Sequence, residues 1–319
     1  MIRIASMLAS GTEIVCALGL EDSLVAISHE CDYPAGVMDR PRASRSRFDP
    51  GGMTSLEIDE AVRRTMLEFG SPYEIDLGVL ADVRPDIILT QAVCEVCAVP
   101  TPGVEQAVAE SGLEARVLSL DPHDIPGILG SVGQVADACE EAGHAGAAAS
   151  AHQAVAGMEA RLAAVRQAVE GADRPLVLGL EWLDPPFLPG HWVPEMIDLA
   201  GGRCAAGPPR RPSPQVGWEE VRGLDPDTLI VMSCGFGVER TLEDAEAASH
   251  HLVRAAPRAI RQGRSWAVDG SSYFNRSGPR VVDGVEILAG ILHPDRWPAP
   301  APGVAQVWTP ELQRVGAAK

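Results

Sequence analysis

The sequence predicts an α/β fold with two Rossmann-like lobes of mostly parallel sheet, joined by one long connecting α-helix. Short β-branched runs alternate with helical patterns along most of the chain, which is typical of parallel sheets covered by helices. An Ala-rich stretch interrupts this alternation between Gly143 and Gly171, and the alternation resumes after Pro175. The length of 319 residues exceeds one ordinary core, which favours two domains of roughly 150 residues each.

The first part of the chain predicts a lobe that opens with a strand and a capped helix. Ser10 and Glu13 have the spacing of a capping box, so the first helix is expected to begin at Ser10. Apolar periodicity predicts the other elements. Strands are expected over 2–7, 24–28, 86–90 and 115–118, and helices over 10–18, 55–70, 75–83, 103–111 and 125–141.

The Ala-rich stretch predicts one long helix over residues 143–170. At 1.5 Å per residue this helix would measure roughly 40 Å, about the width of a domain. We interpret it as a rigid connector between two lobes, with one more surface helix as the alternative. The expected division of the chain is 1–142 for the N-terminal lobe, 143–171 for the connector, 172–300 for the C-terminal lobe and 301–319 for a tail.

The second part of the chain repeats the strand and helix alternation. Strands are expected over 176–181, 229–232 and 265–269, and helices over 193–200, 218–223, 242–256 and 279–292. The Pro-rich stretch 294–302 is expected to run over the surface. One internal echo indicates that the two lobes are related, because Val83–Thr90 and Leu224–Val231 both join a helix end, a Pro-Asp turn and a buried strand.

Charge and composition exclude several classes of partner. Lys and Arg number 26 against 44 Asp and Glu, a net charge of −18, which argues against nucleic acid or an anionic membrane as the main partner. No window approaches the ~18 apolar residues of a spanning helix, so no membrane insertion is expected. Met1–Leu8 resembles a strand and not a signal peptide, which predicts a cytoplasmic protein.

Three segments carry a resemblance to a known family. They are Arg3–Val15, Val83–Thr90 and Glu195–Gly202. With two lobes and one long helix, they resemble the helical-backbone metal-receptor superfamily, which has the periplasmic-binding-protein fold, and most closely its cobalamin and iron-chelate substrate-binding proteins. The resemblance covers roughly residues 1–295. It implies a binding protein that holds cobalamin, or another tetrapyrrole or metal-chelate ligand, between its lobes.

The resemblance also implies a pair of glutamates that dock on an ABC permease, one on each lobe. The matching position of the second lobe holds Glu219, whereas that of the first lobe holds Gly78. Half of the docking pair is therefore missing. Together with the absence of an export segment, this argues against docking on an ABC permease.

The loops that follow the strands carry the candidate ligand-binding residues. In an open α/β sheet the ligand crevice lies beyond the carboxyl ends of the strands. Stiff aromatic loops there suit stacking on a flat ligand, although a packed surface loop is the alternative for 181–192. The candidate ligand-binding residues are Tyr33, Glu181, Trp182, Phe187, His191, Trp192, Phe236, Tyr273 and Asn275.

Cysteines in two of these loops suggest a metal site. Cys94 and Cys97 have the CxxC spacing with which two thiolates bind one ion, and Cys31 is a third candidate ligand. Cys234 or His29 is the candidate for a fourth. Zinc or an iron–sulfur cluster would fit this set, whereas the alternative is a chance or redox-active pair.

These observations leave three hypotheses of function. The first is the binding protein for a tetrapyrrole or metal chelate. The second is an enzyme that reuses the same cleft, with the cysteine-bound metal acting on a small substrate and Glu181 or Glu30 moving protons. The third is a redox- or metal-sensing interaction protein. The defining residues of nucleotide-binding GxGxxG loops, Walker A loops, GxSxG hydrolases and HExxH zincins are absent from the sequence.

Overall fold

The computed structural model describes residues 1–92 and 99–311. They form two compact units. The first comprises residues 1–52, 60–159 and 277–279, and the second comprises residues 53–59, 160–276 and the described residues from 280 onward. The long helix is divided between them after Glu159. It runs over Ala147–Ala168, and its 22 residues make it about 33 Å long.

The first unit is built on a parallel sheet of strand order β2-β1-β5-β6, accompanied by the antiparallel pair β3-β4. Helices between the strands provide the crossovers that parallel pairing needs. In chain order the elements are β1 Ile4–Ser6, α1 Ala9–Ala17, β2 Leu24–Ala26, β3 Ser44–Ser46, α2 Ser55–Phe69, β4 Tyr73–Ile75, α3 Leu77–Val83, β5 Ile87–Thr90, α4 Thr101–Ser111, β6 Arg116–Ser119, α5 Ile125–Glu141 and α6 Ala147–Ala168. Helix α2 begins with residues of the second unit, and α6 ends in it.

The second unit repeats this plan with a sheet of order β10-β7-β11-β12-β13, in which β13 is antiparallel to β12. Its elements are β7 Leu176–Leu180, β8 Trp182–Leu183, β9 Pro186–Phe187, α7 Val193–Leu199, β10 Arg203–Cys204, α8 Trp218–Arg222, β11 Thr228–Val231, α9 Val238–Ala247, α10 Ser249–Ala255, α11 Pro257–Arg261, β12 Ser265–Val268, α12 Gly270–Tyr273, α13 Val281–Leu292 and β13 Ala305–Val307. The prediction of an α/β protein with two mostly parallel sheets is confirmed.

The Pro-Asp turns have the same conformation in both units. Arg84 and Asp225 precede the two prolines with φ of 40° and 36°, both in the left-handed region. Arg84 caps the end of α3, whereas Asp225 lies three residues after the end of α8. The following aspartate accepts a hydrogen bond from the amide that leads into the first strand of its own unit. Asp86 accepts from the amide of Arg3 at 2.8 Å, and Asp227 from the amide of Leu176 at 2.7 Å. The similar sequences of the two segments therefore produce the same aspartate–amide hydrogen bond in both units.

The end of the chain differs from the expected tail. Strand β13 extends the second sheet, and Trp308 is 1% exposed within the core of that unit. The hydroxyl of Ser265 donates to the carbonyl of Trp308 at 2.6 Å, and the Trp308 amide donates to the carbonyl of Ser265 at 2.8 Å. Residues 305–308 are thus a structural part of the lobe.

Two helix predictions also differ from the structure. Helix α1 begins at Ala9 without a side-chain cap, because Ser10 and Glu13 are buried within its first turns and do not cap it. The single helix expected over 242–256 is replaced by α9 and α10, which break at Ala248, and by α11, which starts at Pro257. In the part of the chain that the structure describes, no helix combines the length and apolar character needed to cross a membrane.

Candidate functional site

Glu181 lies at the carboxyl end of β7 and joins three loops of the second unit. Its carboxylate accepts a hydrogen bond from the Ser213 hydroxyl at 2.5 Å and another from the Gly190 amide at 3.1 Å. Burial of the carboxylate raises the pKa of Glu181 to about 7, and these two hydrogen bonds oppose the shift. The residue can therefore change its charge near neutral pH, while both of its oxygens hold the neighbouring loops in place.

An aromatic face lies beside this acid. The rings of Trp182 and Phe236 are 5.1 Å apart with a tilt of 47°, a favourable aromatic geometry. The guanidinium of Arg240 lies 5.1 Å from the centroid of the Phe236 ring. The indole N–H of Trp182 donates to the carbonyl of Asp184 at 3.0 Å, which fixes the orientation of the ring. We call Trp182 and Phe236 the aromatic pair.

Two other predicted ligand-binding residues of this unit are engaged in packing. Trp192 is 7% exposed and donates its indole N–H to the carbonyl of Phe274 at 2.7 Å. Asn275 donates its amide to the carbonyl of Met232 at 2.9 Å, which ties the segment after α12 to the residue that follows β11. The Trp192 ring thus lies in the interior with its N–H paired, as a buried indole requires, and its ligand-binding role stays a prediction.

The remaining predicted residues of the second unit are half-buried. Phe187 pairs with Trp182 in the β8-β9 ladder. His191 has a φ of 46° and lies next to Trp192 in sequence. Tyr273 ends α12, and the Arg280 guanidinium lies 5.6 Å from its ring centroid. The ligand-binding role of these three side chains stays a prediction.

In the first unit, the predicted residues of the loop after β2 are mostly held by hydrogen bonds. Cys31 is 3% exposed, and its sulfur lies 3.0 Å from the Thr12 hydroxyl. His29 Nδ1 lies 2.8 Å from the Ser44 hydroxyl, and its Nε2 lies 3.3 Å from a carboxylate oxygen of Glu30. This network leaves Cys31 as a small buried side chain.

The predicted metal site includes residues outside the described part of the chain. Cys94 and Cys97 lie outside the described residues. Within residues 1–92 and 99–311 there is no group of three or more His, Cys, Asp or Glu side chains that could hold a metal ion. Cys234 is half-buried in the second unit, and Tyr33 in the first unit is 49% exposed. The ligand set Cys31, Cys94 and Cys97 stays a prediction.

The sequence analysis missed the polar residues that support the site. Asp244 is 8% exposed and accepts hydrogen bonds from the hydroxyls of Ser233, at 2.8 Å, and Ser55. Burial raises the pKa of Asp244, whereas the two serine hydroxyls lower it. The partner of Glu181, Ser213, was missed as well. Gly190 is required by a tertiary contact, because a Cβ there would collide with the backbone of Ser213 and Arg211.

The fold and the site define a solute-binding protein of two α/β lobes, with an aromatic pair and an acid at the carboxyl edge of one sheet. Comparison with known proteins agrees. Residues 4–268 match the model of the periplasmic binding protein family, and the chain belongs to that family. The resemblance to cobalamin and iron-chelate binding proteins is thereby confirmed.

Relatives and solved structures cover nearly the whole chain. The vitamin B12-binding protein of Vibrio cholerae serotype O1 is 24% identical over 296 residues, covering 91% of this chain and 88% of the relative. The uncharacterized ABC transporter substrate-binding lipoprotein YvrC of Bacillus subtilis is 22% identical, covering 92% and 80%. The periplasmic heme-binding protein RhuT from Roseiflexus sp. RS-1 has a TM-score of 0.65 at 20% identity, covering 92% and 98%.

Proposed function

We propose that the protein binds cobalamin or another tetrapyrrole or metal-chelate ligand. The observation that carries this proposal is the half-buried Trp182 packed on Phe236 beside Glu181, at the carboxyl edge of a parallel sheet. A flat macrocycle gains most from contact with a fixed aromatic face, since stacking adds to the burial of apolar area. The names of the Vibrio and Roseiflexus proteins support this class of ligand.

Tryptophan fluorescence provides a direct test. All six tryptophans of the sequence lie in the second unit, at 182, 192, 218, 266, 297 and 308. Cyanocobalamin and haemin should each be titrated, with quenching and the shift of the ligand's visible bands recorded together. At least one ligand is expected to saturate at a ratio of one per chain.

The variant Trp182→Leu should weaken this binding at least tenfold. Trp218→Leu is the matched control, because the Trp218 ring is already engaged in a stack on His251 at 4.7 Å. Lack of saturation by either ligand, or equal effects of the two substitutions, would overturn the proposal.

We also propose that the protein delivers its ligand to an ABC permease, contrary to the expectation from the sequence. The description of the Bacillus relative as an ABC transporter substrate-binding lipoprotein supports this role. Glu219 is the second residue of α8 and its side chain is 84% exposed, next to its ion-pair partner Arg222. Gly78 is the second residue of α3. Docking would thus depend on Glu219 more than on the first unit.

This docking proposal is tested with a purified vitamin B12 permease in lipid nanodiscs. Glu219→Gln should lower the affinity of the protein for the permease at least tenfold, whereas Glu239→Gln on α9 should leave it unchanged. Binding that is insensitive to Glu219→Gln would exclude this surface.

The enzymatic alternative receives less support. Glu181 has the pKa of a general acid or base, but both of its carboxylate oxygens accept hydrogen bonds from loops. The names of the Vibrio, Bacillus and Roseiflexus proteins mention neither zinc nor an iron–sulfur cluster. Metal analysis of the protein purified without air tests this alternative. The comparison is a variant in which Cys31, Cys94 and Cys97 are all changed to Ser. A thiolate-bound metal should be present in the native protein and absent from the variant.

Cellular location is a separate question. Cytoplasmic localisation stays a prediction, while the names of the relatives describe periplasmic and lipoprotein members. Fractionation of cells that produce the native gene product, with a cytoplasmic enzyme as marker, distinguishes the two.

A further inference from the structure

Residues 53–59 belong to the second unit although the chain on both sides of them belongs to the first. They contain the start of α2, where Thr54 and Glu57 cap the helix reciprocally: the amide and hydroxyl of Thr54 donate to the Glu57 carboxylate at 2.7 and 2.9 Å. The first turn of α2 is therefore locally ordered, and its attachment to the second unit depends on a few identifiable contacts. We call residues 53–59 the strap.

Asp244 provides the first of these contacts. It lies on the buried face of α9, where one carboxylate oxygen accepts from the hydroxyl of Ser55 in the strap. The other oxygen accepts from the hydroxyl of Ser233 at 2.8 Å. Ser233 is the second residue after β11 and belongs to the loop that carries Phe236. Asp244 thus joins the strap to a loop of the candidate site through two hydrogen bonds to a charged acceptor, which are stronger than neutral ones.

Arg240 provides the second contact, one turn earlier on α9. It donates to the carbonyl of Met53 and forms an ion pair with Glu243 at 3.0 Å. The same guanidinium lies over the ring of Phe236 at 5.1 Å. Arg240 therefore touches the strap and the aromatic pair at once, so that a displacement of the Phe236 ring changes the position of the group that holds Met53.

We propose that the strap senses occupancy of the aromatic site, through Phe236 and Arg240 on one route and through Ser233 and Asp244 on the other. This inference rests on the proposed binding function. A ligand stacked on the aromatic pair holds the Phe236 ring under Arg240 and thereby strengthens the attachment of Met53. The ligand-free protein has a looser strap, whose opening exposes the first turn of α2 to solvent.

Amide hydrogen exchange measured by mass spectrometry on the full chain tests the strap without any ligand. Ser55→Ala removes the hydrogen bond from the strap to Asp244, and Asp244→Ala removes the acceptor of both serine hydroxyls. Both should raise exchange in peptides covering 53–59 at least fivefold. Phe236→Leu should raise it at least threefold through Arg240. Glu239→Gln, an exposed acid on the same helix, is the matched control and should leave the strap unchanged.

A second arm adds saturating cyanocobalamin or haemin to the native chain. Exchange over 53–59 should slow at least threefold, and Arg240→Gln should abolish this slowing. Circular dichroism and melting temperature verify that each variant folds. Binding without any change over 53–59 would overturn the sensing proposal and leave the proposed function intact. If neither ligand binds, the proposed function fails. In that case, unchanged amide exchange over 53–59 in Phe236→Leu would overturn the proposed coupling of Phe236 to the strap independently.

Discussion

The two units share a backbone plan and differ at the carboxyl edges of their sheets. In both, an aspartate after a left-handed residue and a proline binds the amide that leads into the first strand. At the edge of the first unit, described polar groups contact in pairs, Thr12 with Cys31 and His29 with Ser44. At the edge of the second unit, an acid with a raised pKa lies beside a half-buried indole. The Pro-Asp turn ties the start of one strand to the start of its neighbour, whereas the loops after the strands supply the side chains of the carboxyl edge.

The largest expected effect concerns Glu181 and pH. The folded protein keeps the Glu181 proton up to about pH 7, whereas the unfolded chain releases it near 4.5, so the free energy of unfolding falls as the pH rises between these values. The loss amounts to at most about 3 kcal/mol. Glu181→Gln should remove this part of the pH dependence in urea unfolding followed from pH 4 to pH 8. Glu30→Gln at the corresponding edge of the first unit should keep it, and equal slopes for all three proteins would contradict the comparison.

The aspartates of the two Pro-Asp turns should contribute unequally to the free energy of unfolding. Asp227 also forms an ion pair with Arg258 at 2.7 Å, so Asp227→Ala should lower the free energy of unfolding by about 2 kcal/mol. Asp86→Ala should cost about 1 kcal/mol, since its described partner is a single exposed amide. Tryptophan fluorescence reports only the second unit, and circular dichroism reports both. A fluorescence transition that moves more in Asp86→Ala than in Asp227→Ala would refute the assignment.

Removal of the Thr12 hydroxyl should have a smaller effect, confined to the first unit. Thr12→Val breaks the contact with Cys31 while preserving the shape of the side chain, and should cost about 1 kcal/mol. The affinity for cyanocobalamin or haemin should stay within about twofold, because this contact supports the fold. A tenfold loss of affinity would contradict this, and would show that the carboxyl edge of the first sheet contributes to ligand binding as the edge of the second sheet does.

The smallest effect is expected in the helix that the units share. Gly157 is exposed within α6, and a Cβ there would meet no atom within 4 Å. Gly157→Ala should raise the free energy of unfolding by up to about 1 kcal/mol. Thermal unfolding observed by both fluorescence and circular dichroism shows which unit gains. A destabilised variant would contradict the open surroundings of this residue.

Local signals were sufficient for most of the fold. The parallel strands follow from β-branched runs beside Pro-Asp turns, and the long helix follows from Ala-rich composition. Strand β13 escaped prediction because three residues, Ala305–Val307, carry too little pattern, and their pairing with β12 is a tertiary effect. The break at Ala248 escaped for the same reason, since no proline or glycine marks it.

Residues of the site could be predicted only where a functional side chain comes directly after a strand in the sequence. Glu181 and Trp182 come immediately after β7, so their place at the sheet edge follows from topology. The contact of Ser55 with Asp244 joins residues 189 positions apart, and no local pattern in the sequence indicates it. Burial of Trp192 likewise depends on the carbonyl of Phe274 in a distant loop.

Strand β13 has a consequence for synthesis of the protein on the ribosome. Until residues 305–308 have emerged, β12 is a sheet edge with unpaired backbone groups, and the space that Trp308 fills is open. Almost all of the nascent second unit is then present without its last strand. An exposed edge beside an unfilled apolar core is the kind of surface that chaperones bind and that promotes aggregation. The final residues of the sheet thus act as its closing strand, and premature termination before Ala305 would release a chain with a permanently open edge.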